Sequence, residues 1–286
     1  MTPSNTTPAN VIEISLRPGV QSQIDAALAL RASGHLEEAL RTLSNPAEYD
    51  AYLYTIRGEI EFALGRYQDA ALSFFAVTHS ESDNADAHYN LALALQRSDR
   101  WDASCQAFER ALALDPGHAR ARLGLGASLL YLNRLDAALA AFYACPNRLE
   151  QPAVFGKAVA LQLLYRSGEA AMAYETVLAA DPASEEALSN LIALGVETAD
   201  LDSVRDYSQR LLKVAPQSQT AWQGLAAVAL DRQDHHAAAR YCDRIVELAP
   251  DCLEGWHNLS VALGRILASF SPPEKMRADQ LVEQQG

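Results

Sequence analysis

Between residues 85 and 111 the apolar positions follow a helical rhythm. Leu91, Ala92 and Leu95 stand three and four apart; Ser98-Asp99-Arg100 breaks the run; Ser104, Phe108 and Ala111 resume it. That pattern predicts a helix, a short turn and a second helix. The pair then recurs. Ala39, Ala70, Ser104, Ala138, Ala170, Val204 and Ala238 lie at intervals of 31, 34, 34, 32, 34 and 34 residues. A second, mostly small series runs Ala27, Gly58, Ala92, Gly126, Ala158, Ile192, Ala226, each twelve residues before its partner, with Ser260 continuing it. Small residues are needed where two antiparallel helices approach closely and larger neighbours interlock around the contact. Pro116, Pro182, Pro216 and Pro250 follow the ends of second helices, because proline has no N–H and its ring clashes with the preceding turn. Gly34, Gly65 and Gly168 fall at the expected turns between paired helices, where a positive φ favours glycine.

Read as one unit of 34 residues, the pattern resembles the tetratricopeptide repeat. The residues that carry the resemblance best are Trp222, Leu225, Ala226, Ala238, Ile245 and Pro250, and Leu91, Ala92, Ser104, Phe108, Ala111 and Pro116. The resemblance implies an all-α fold, a right-handed superhelical solenoid of helix-turn-helix repeats. It divides the chain into a flexible tail (1–19), about seven repeats (20–252, starting near 20, 51, 85, 119, 151, 185 and 219), a capping helix (253–270) and a polar tail (271–286). Two units depart from the pattern. Pro46 cuts short the second helix of the first unit, and Cys145-Pro146-Asn147 replaces the usual helix end of the fourth, before Pro152 opens the next helix. A change of geometry and a weak seam are expected there.

Composition narrows the class of work. The chain has 36 acidic and 23 basic residues, a formal net charge of -13, and 49% apolar residues. The apolar share excludes a disordered chain. The acidic balance disfavours nucleic acid and anionic lipid, which need clustered Lys and Arg. No stretch is long and apolar enough for a membrane span. Cys105, Cys145, Cys242 and Cys252 show no CxxC spacing, and residues 1–17 have neither a basic nor an apolar leader region. These features fit a reducing, cytoplasmic setting.

No catalytic constellation is present: HExxH, GxSxG and GxxxxGK[ST] are all missing. Gly124-Leu125-Gly126 sits inside a helix at packing positions. His235-His236 reads as a surface pair at a turn, since metal ligation needs three or four converging ligands. The expectation is therefore a protein with no catalytic residue, no metal site and no cofactor. Arg57 and Lys157 replace leucine in their units; each reads either as a packed stem with a solvated head or as a basic group aimed at an acidic ligand.

In the family resembled here, the inner face of the first helices lines a concave groove that holds peptides. Residues at positions 2, 5, 9 and 12 of a unit share that face by their spacing. The resemblance places Tyr52, Phe62, Tyr89, Leu93, Leu123, Leu130 and Phe155 there, with Tyr131 adjacent, and Asn90 and Asn190 as amides able to grip a peptide backbone. A patch around Tyr89, Leu123, Tyr131 and Phe155 is expected to bind. The family's clamp for a terminal carboxylate is missing its Lys and Asn. The expected function is a non-enzymatic scaffold that binds a segment of another protein, with apolar anchors and a basic character that the net charge favours. Two alternatives stand beside it: a substrate-presenting or regulatory module of a methyltransferase or glycosyltransferase system, and a self-assembling repeat protein.

Overall fold

The computed structural model describes residues 18–43, 50–146 and 150–269. The expectations for residues 1–17 and for the tail after 270 lie outside them. Among the described residues the regular elements are helices, and they come in pairs. The first pairs are α1 (Pro18–Ala32) with α2 (Leu36–Thr42), α3 (Ala51–Ala63) with α4 (Tyr67–Ser80), and α5 (Ala85–Arg97) with α6 (Trp101–Leu114). Then come α7 (Ala119–Tyr131), α8 (Leu135–Tyr143), α9 (Glu150–Leu163) with α10 (Ser167–Ala180), and α11 (Glu185–Glu197) with α12 (Leu201–Val214). The last are α13 (Gln219–Asp231) with α14 (His235–Leu248), and α15 (Leu253–Ser269). The chain forms two compact units, Met1–Arg134 and Leu135–Gly286. The division falls inside the irregular fourth repeat, before the expected seam at Cys145-Pro146.

Local chemistry repeats with the register. Each first helix needs an acceptor for its unpaired N-terminal N–H groups. Asp50 accepts from Leu53 N at 2.9 Å, Asn84 from Ala87 N at 3.0 Å, and Ser184 and Ser218 cap α11 and α13. His118 does the same with Nδ1, accepting from Ala121 N at 3.1 Å, and its Nε2 lies 3.2 Å from Asp86. With Nδ1 as acceptor, Nε2 is the donor. Cys252 stands at the same place before α15, its Sγ 3.4 Å from Gly255 N.

The turns inside the pairs also share one geometry. Gly34 and Gly65 take positive φ, and so do Asp99, Asn133, Tyr165, Ala199 and Gln233. In each turn that residue and the next donate back to the last turn of the helix, as Gly65 does to Phe62 O and Arg66 to Glu61 O. Gly168 is not one of them: it lies in the first turn of α10, and Tyr165 holds the left-handed position instead. The glycine stands three residues beyond the bend because the turn is fixed by the helix's last carbonyls, not by the nearest glycine.

Within the first unit α3 to α7 pack each on the next, and within the second α8 to α15 do the same. The small series is buried as the register requires: Ala39, Ala70, Ala92, Ser104 and their counterparts up to Ala238 are inaccessible or nearly so. Polar groups are enclosed with them. Ser104 Oγ donates to Ala92 O at 2.9 Å, beside Ser128, which receives Gln96 Nε2 at 3.0 Å. Glu61, also buried, is held by Arg57 Nε at 2.8 Å and by Ser73 Oγ at 2.6 Å. Arg57 therefore serves an internal carboxylate. Lys157 places its ammonium 4.9 Å above the Tyr143 ring.

Two side chains and one helix are less enclosed than the repeat core around them. Trp222 is half-buried against Tyr241, its indole N–H donating to Pro216 O at 3.2 Å, because position 4 of the unit closes over the preceding turn rather than entering the core. Cys145 is half-buried beyond the end of α8. Helix α15 covers α14 with Gly255, Leu259 and Ala262, yet leaves Leu253, Trp256, Leu263 and Leu267 exposed.

Candidate functional site

The residues assigned to the inner face divide between the two units. In the first unit Tyr52 and Phe62 come from α3, Tyr89, Asn90 and Leu93 from α5, and Leu123, Leu130 and Tyr131 from α7. Helices α5 and α7 touch, and Gln96 of α5 donates to Gly124 O of α7 at 3.3 Å. Phe155 and Asn190 belong to α9 and α11 of the second unit.

Their exposure is uneven. Tyr52 is 47% exposed, whereas Phe62, Leu93, Leu123, Leu130 and Phe155 are half-buried. Tyr89 is buried. Its ring lies 4.7 Å from His118 and 6.0 Å from Phe108, and the Arg120 guanidinium covers it at 5.1 Å. Burial pushes the Tyr89 phenol up, and Arg120 partly offsets the rise. Tyr89 is thus a floor of the face rather than a free anchor.

Tyr131 stands elsewhere. It ends α7, about three turns from Arg120, and is 72% exposed on one side while its other side stacks on Trp101 at 3.9 Å and 6°. It forms part of the edge at the helix turns, and the structure does not bring it to Tyr89. Helical spacing alone put it near Leu130; the position at the helix end, opposite the start of α6, decides its contact.

Cations line the rings of the first unit. Arg97 lies over Phe62 at 5.9 Å and over Tyr67 at 5.6 Å, and Arg57 stands 6.0 Å from Tyr54. In the second unit Phe155 meets the enclosed Tyr174 edge-on at 5.8 Å. The Tyr174 hydroxyl donates to Gln162 at 2.9 Å, and burial raises its phenol strongly. Asn90 and Asn190 are half-buried, and neither amide has a hydrogen-bond partner among the described residues.

Among the described residues no group of three or more His, Cys, Asp and Glu side chains could hold a metal ion, and no helix is long and apolar enough to cross a membrane. Burial raises the thiols of Cys105 and Cys242. A raised thiol is a poor nucleophile, since the thiolate is the reactive form.

Sequence reasoning passed over one feature. Helix α4 carries Leu72 and Phe75 on a side that is 70% and 59% exposed, away from its core residues Ala70, Phe74 and Val77. The signal was present in residues 70–77, which are apolar at all but one position and so cannot all face one core.

The tetratricopeptide repeat family matches residues 85–118 and again residues 201–251. No curated protein matches the chain. Solved structures resemble it in fold. The C-terminal part of a TPR repeat-containing protein from Cytophaga hutchinsonii aligns with a TM-score of 0.68 at 14% identity, over 82% of this chain and 99% of that one. PilW, a widely conserved type IV pilus biogenesis factor, aligns with a TM-score of 0.62 at 19% identity, over 74% of this chain and 98% of that one. YrrB, a TPR protein with an unusual peptide-binding site, aligns with a TM-score of 0.55 at 16% identity, over 65% and 97%. Two segments of the chain thus match the tetratricopeptide repeat, one register runs through and between them, and the fold is that of the solved tetratricopeptide-repeat structures.

Proposed function

We propose that the chain is a non-enzymatic scaffold in which the first helices of the repeats form, within each unit, an inner face that holds a segment of another protein. One observation carries the reading: Asn90 in the first unit and Asn190 in the second each present an unengaged, half-buried amide on a first helix, and in the first unit Leu93 and Leu123 are neither enclosed nor free. An amide both donates and accepts, so it can pair with a peptide backbone, while Leu93 and Leu123 offer apolar contact. The peptide-binding site of YrrB, a protein of the same fold, supports this use of the repeats. The basic character expected of the partner rests on the net charge of -13 alone, acting at range. Close to the face, Arg97 and Arg120 favour no cation.

The test is capture from the native host with mass spectrometry. Asn90→Ala and Asn190→Ala should each weaken recovery of the partner about fivefold, the loss of one hydrogen bond of about 1 kcal/mol. Leu123→Asp should abolish it. Helicity by circular dichroism should stay at the wild-type level in the amide variants. Undiminished capture by all three variants would rule the inner face out.

A second reading, self-assembly, is favoured by α15. Its exposed Leu253, Trp256, Leu263 and Leu267 stand three, seven and four apart along one stripe. Sedimentation of the wild type against Trp256→Ser separates this reading from the first.

A further inference from the structure

The second helices enclose a groove of their own. Helices α4 and α6 form its walls and α5 its floor, and its volume is about 730 Å³. The floor is Leu91 and Leu95, on the opposite side of α5 from Tyr89 and Leu93. Leu72 and Phe75 stand on the α4 wall, the most exposed large apolar pair of that helix. Arg110 stands on the α6 wall, and Arg100 stands at its N-terminal end as the residue before the helix. This groove is separate from the inner face, and nothing below depends on that face binding anything.

Its charge runs against the rest of the chain. The whole protein carries -13, yet the groove's lining contains two arginines and no carboxylate. Arg100 makes no ion pair among the described residues, and the Arg110 head reaches only Ser82 O at 3.3 Å. An exposed apolar pair flanked by two uncompensated guanidiniums is matched by apolar side chains flanked by carboxylates.

The walls also decide the conformation of the occupant. All three are α-helices, whose backbone N–H and C=O groups are already paired. An extended segment would lie there with its own backbone groups unmatched; a helix brings them satisfied. Along α6 the step from Arg100 to Arg110 is about 15 Å at 1.5 Å per residue. A helix lying beside α6 would meet both with carboxylates about ten residues apart.

We infer that this groove docks an acidic amphipathic helix of a partner protein, with its apolar stripe on Leu72 and Phe75 and its carboxylates on Arg100 and Arg110. Fluorescence anisotropy on the full chain tests it. The probe is a labelled helical peptide of about eighteen residues, long enough to hold its helix, with a leucine stripe and two Glu about ten apart. Its twin carries Lys for Glu. The Glu peptide should bind about tenfold tighter than the twin at low salt. Leu72→Ser with Phe75→Ser should abolish binding, and Arg100→Gln with Arg110→Gln should weaken it about tenfold. All four side chains line the groove, and circular dichroism on each variant checks that the helices persist. Arg240→Gln, an exposed arginine of the second unit, should change nothing. The inference is overturned if the Lys twin binds as well or better, as net charge alone dictates, or if the Glu peptide ignores the Leu72 and Phe75 changes. It is also overturned if the free chain sediments as a dimer that Leu72→Ser dissociates, since the occupant would then be a second copy.

Discussion

The contact of α6 with α7 and the contact of α12 with α13 occupy the same place in the repeat, and they are built differently. In the first, Phe108 is fully enclosed, and its ring fills the space a Cβ on Gly124 would take. In the second, Ser208 is equally enclosed and faces Gly224, where an added Cβ would run into its hydroxyl oxygen. Both pairs are sixteen residues apart. Glycine recurs, but for two reasons. At Gly124 it makes room for a ring. At Gly224 it lets a short side chain reach the neighbouring backbone, so there the helices themselves must approach closely. Phe142 on Gly156 repeats the first solution, and Phe74 turns its ring onto Gly58 of its own pair. The register therefore specifies that something small meets something else, and the partner sets the distance.

Removing the ring should give the largest effect. Phe108→Ala leaves a void bounded by Tyr89, Ala92 and Gly124 and should cost about 3–5 kcal/mol in urea unfolding. A loss near that of an exposed aromatic would mean the first contact is no tighter than the second. Adding a methyl from the other side should cost less. Gly124→Ala gains helix propensity but drives a Cβ into the Phe108 ring, for a net loss of about 1–3 kcal/mol. Gly264→Ala is its control: it lies in α15 with nothing within 4 Å of the added Cβ, and it should gain about 1 kcal/mol. If both alanines stabilise, the ring at Gly124 is not held in place.

The architecture was legible because a repeat writes the same packing problem many times. Ala92 and Ser104, Ala226 and Ala238 mark helix contacts wherever they recur, and the structure buries them. Exposure at the inner face was less legible. Tyr89 shares a helical face with Leu93, but its burial depends on His118 and Arg120, which arrive about thirty residues later at the start of α7. Tyr131 depends on Trp101, thirty residues earlier. The left-handed turn at Tyr165 was hidden because glycine is only the easiest residue there, and a helix whose last carbonyls are capped can impose the strain on tyrosine. The Leu72 and Phe75 wall was written plainly in an apolar run, yet a run shows only that a second face exists and not which neighbours flank it.

The smallest expected effect bears on the second contact. The Ser208 hydroxyl is buried and has no hydrogen-bond partner among the described residues. A buried polar group without a partner loses its water and gains nothing in return, at a cost of about 1–3 kcal/mol. Ser104, buried one helical turn before Phe108 in the first unit, avoids this cost by donating to Ala92 O. The two serines should therefore respond with opposite sign. Ser104→Ala should destabilise by about 1 kcal/mol, because it leaves the Ala92 carbonyl without that donor and breaks the link to Ser128. Ser208→Ala removes the unmatched oxygen while keeping the Cβ that meets α13, so it should leave stability unchanged or raise it by up to about 1 kcal/mol. Urea midpoints at constant m-value read both. A Ser208→Ala variant that loses as much as Ser104→Ala would mean that its hydroxyl has found a partner in solution, and that the close approach at Gly224 is held by a hydrogen bond rather than by packing.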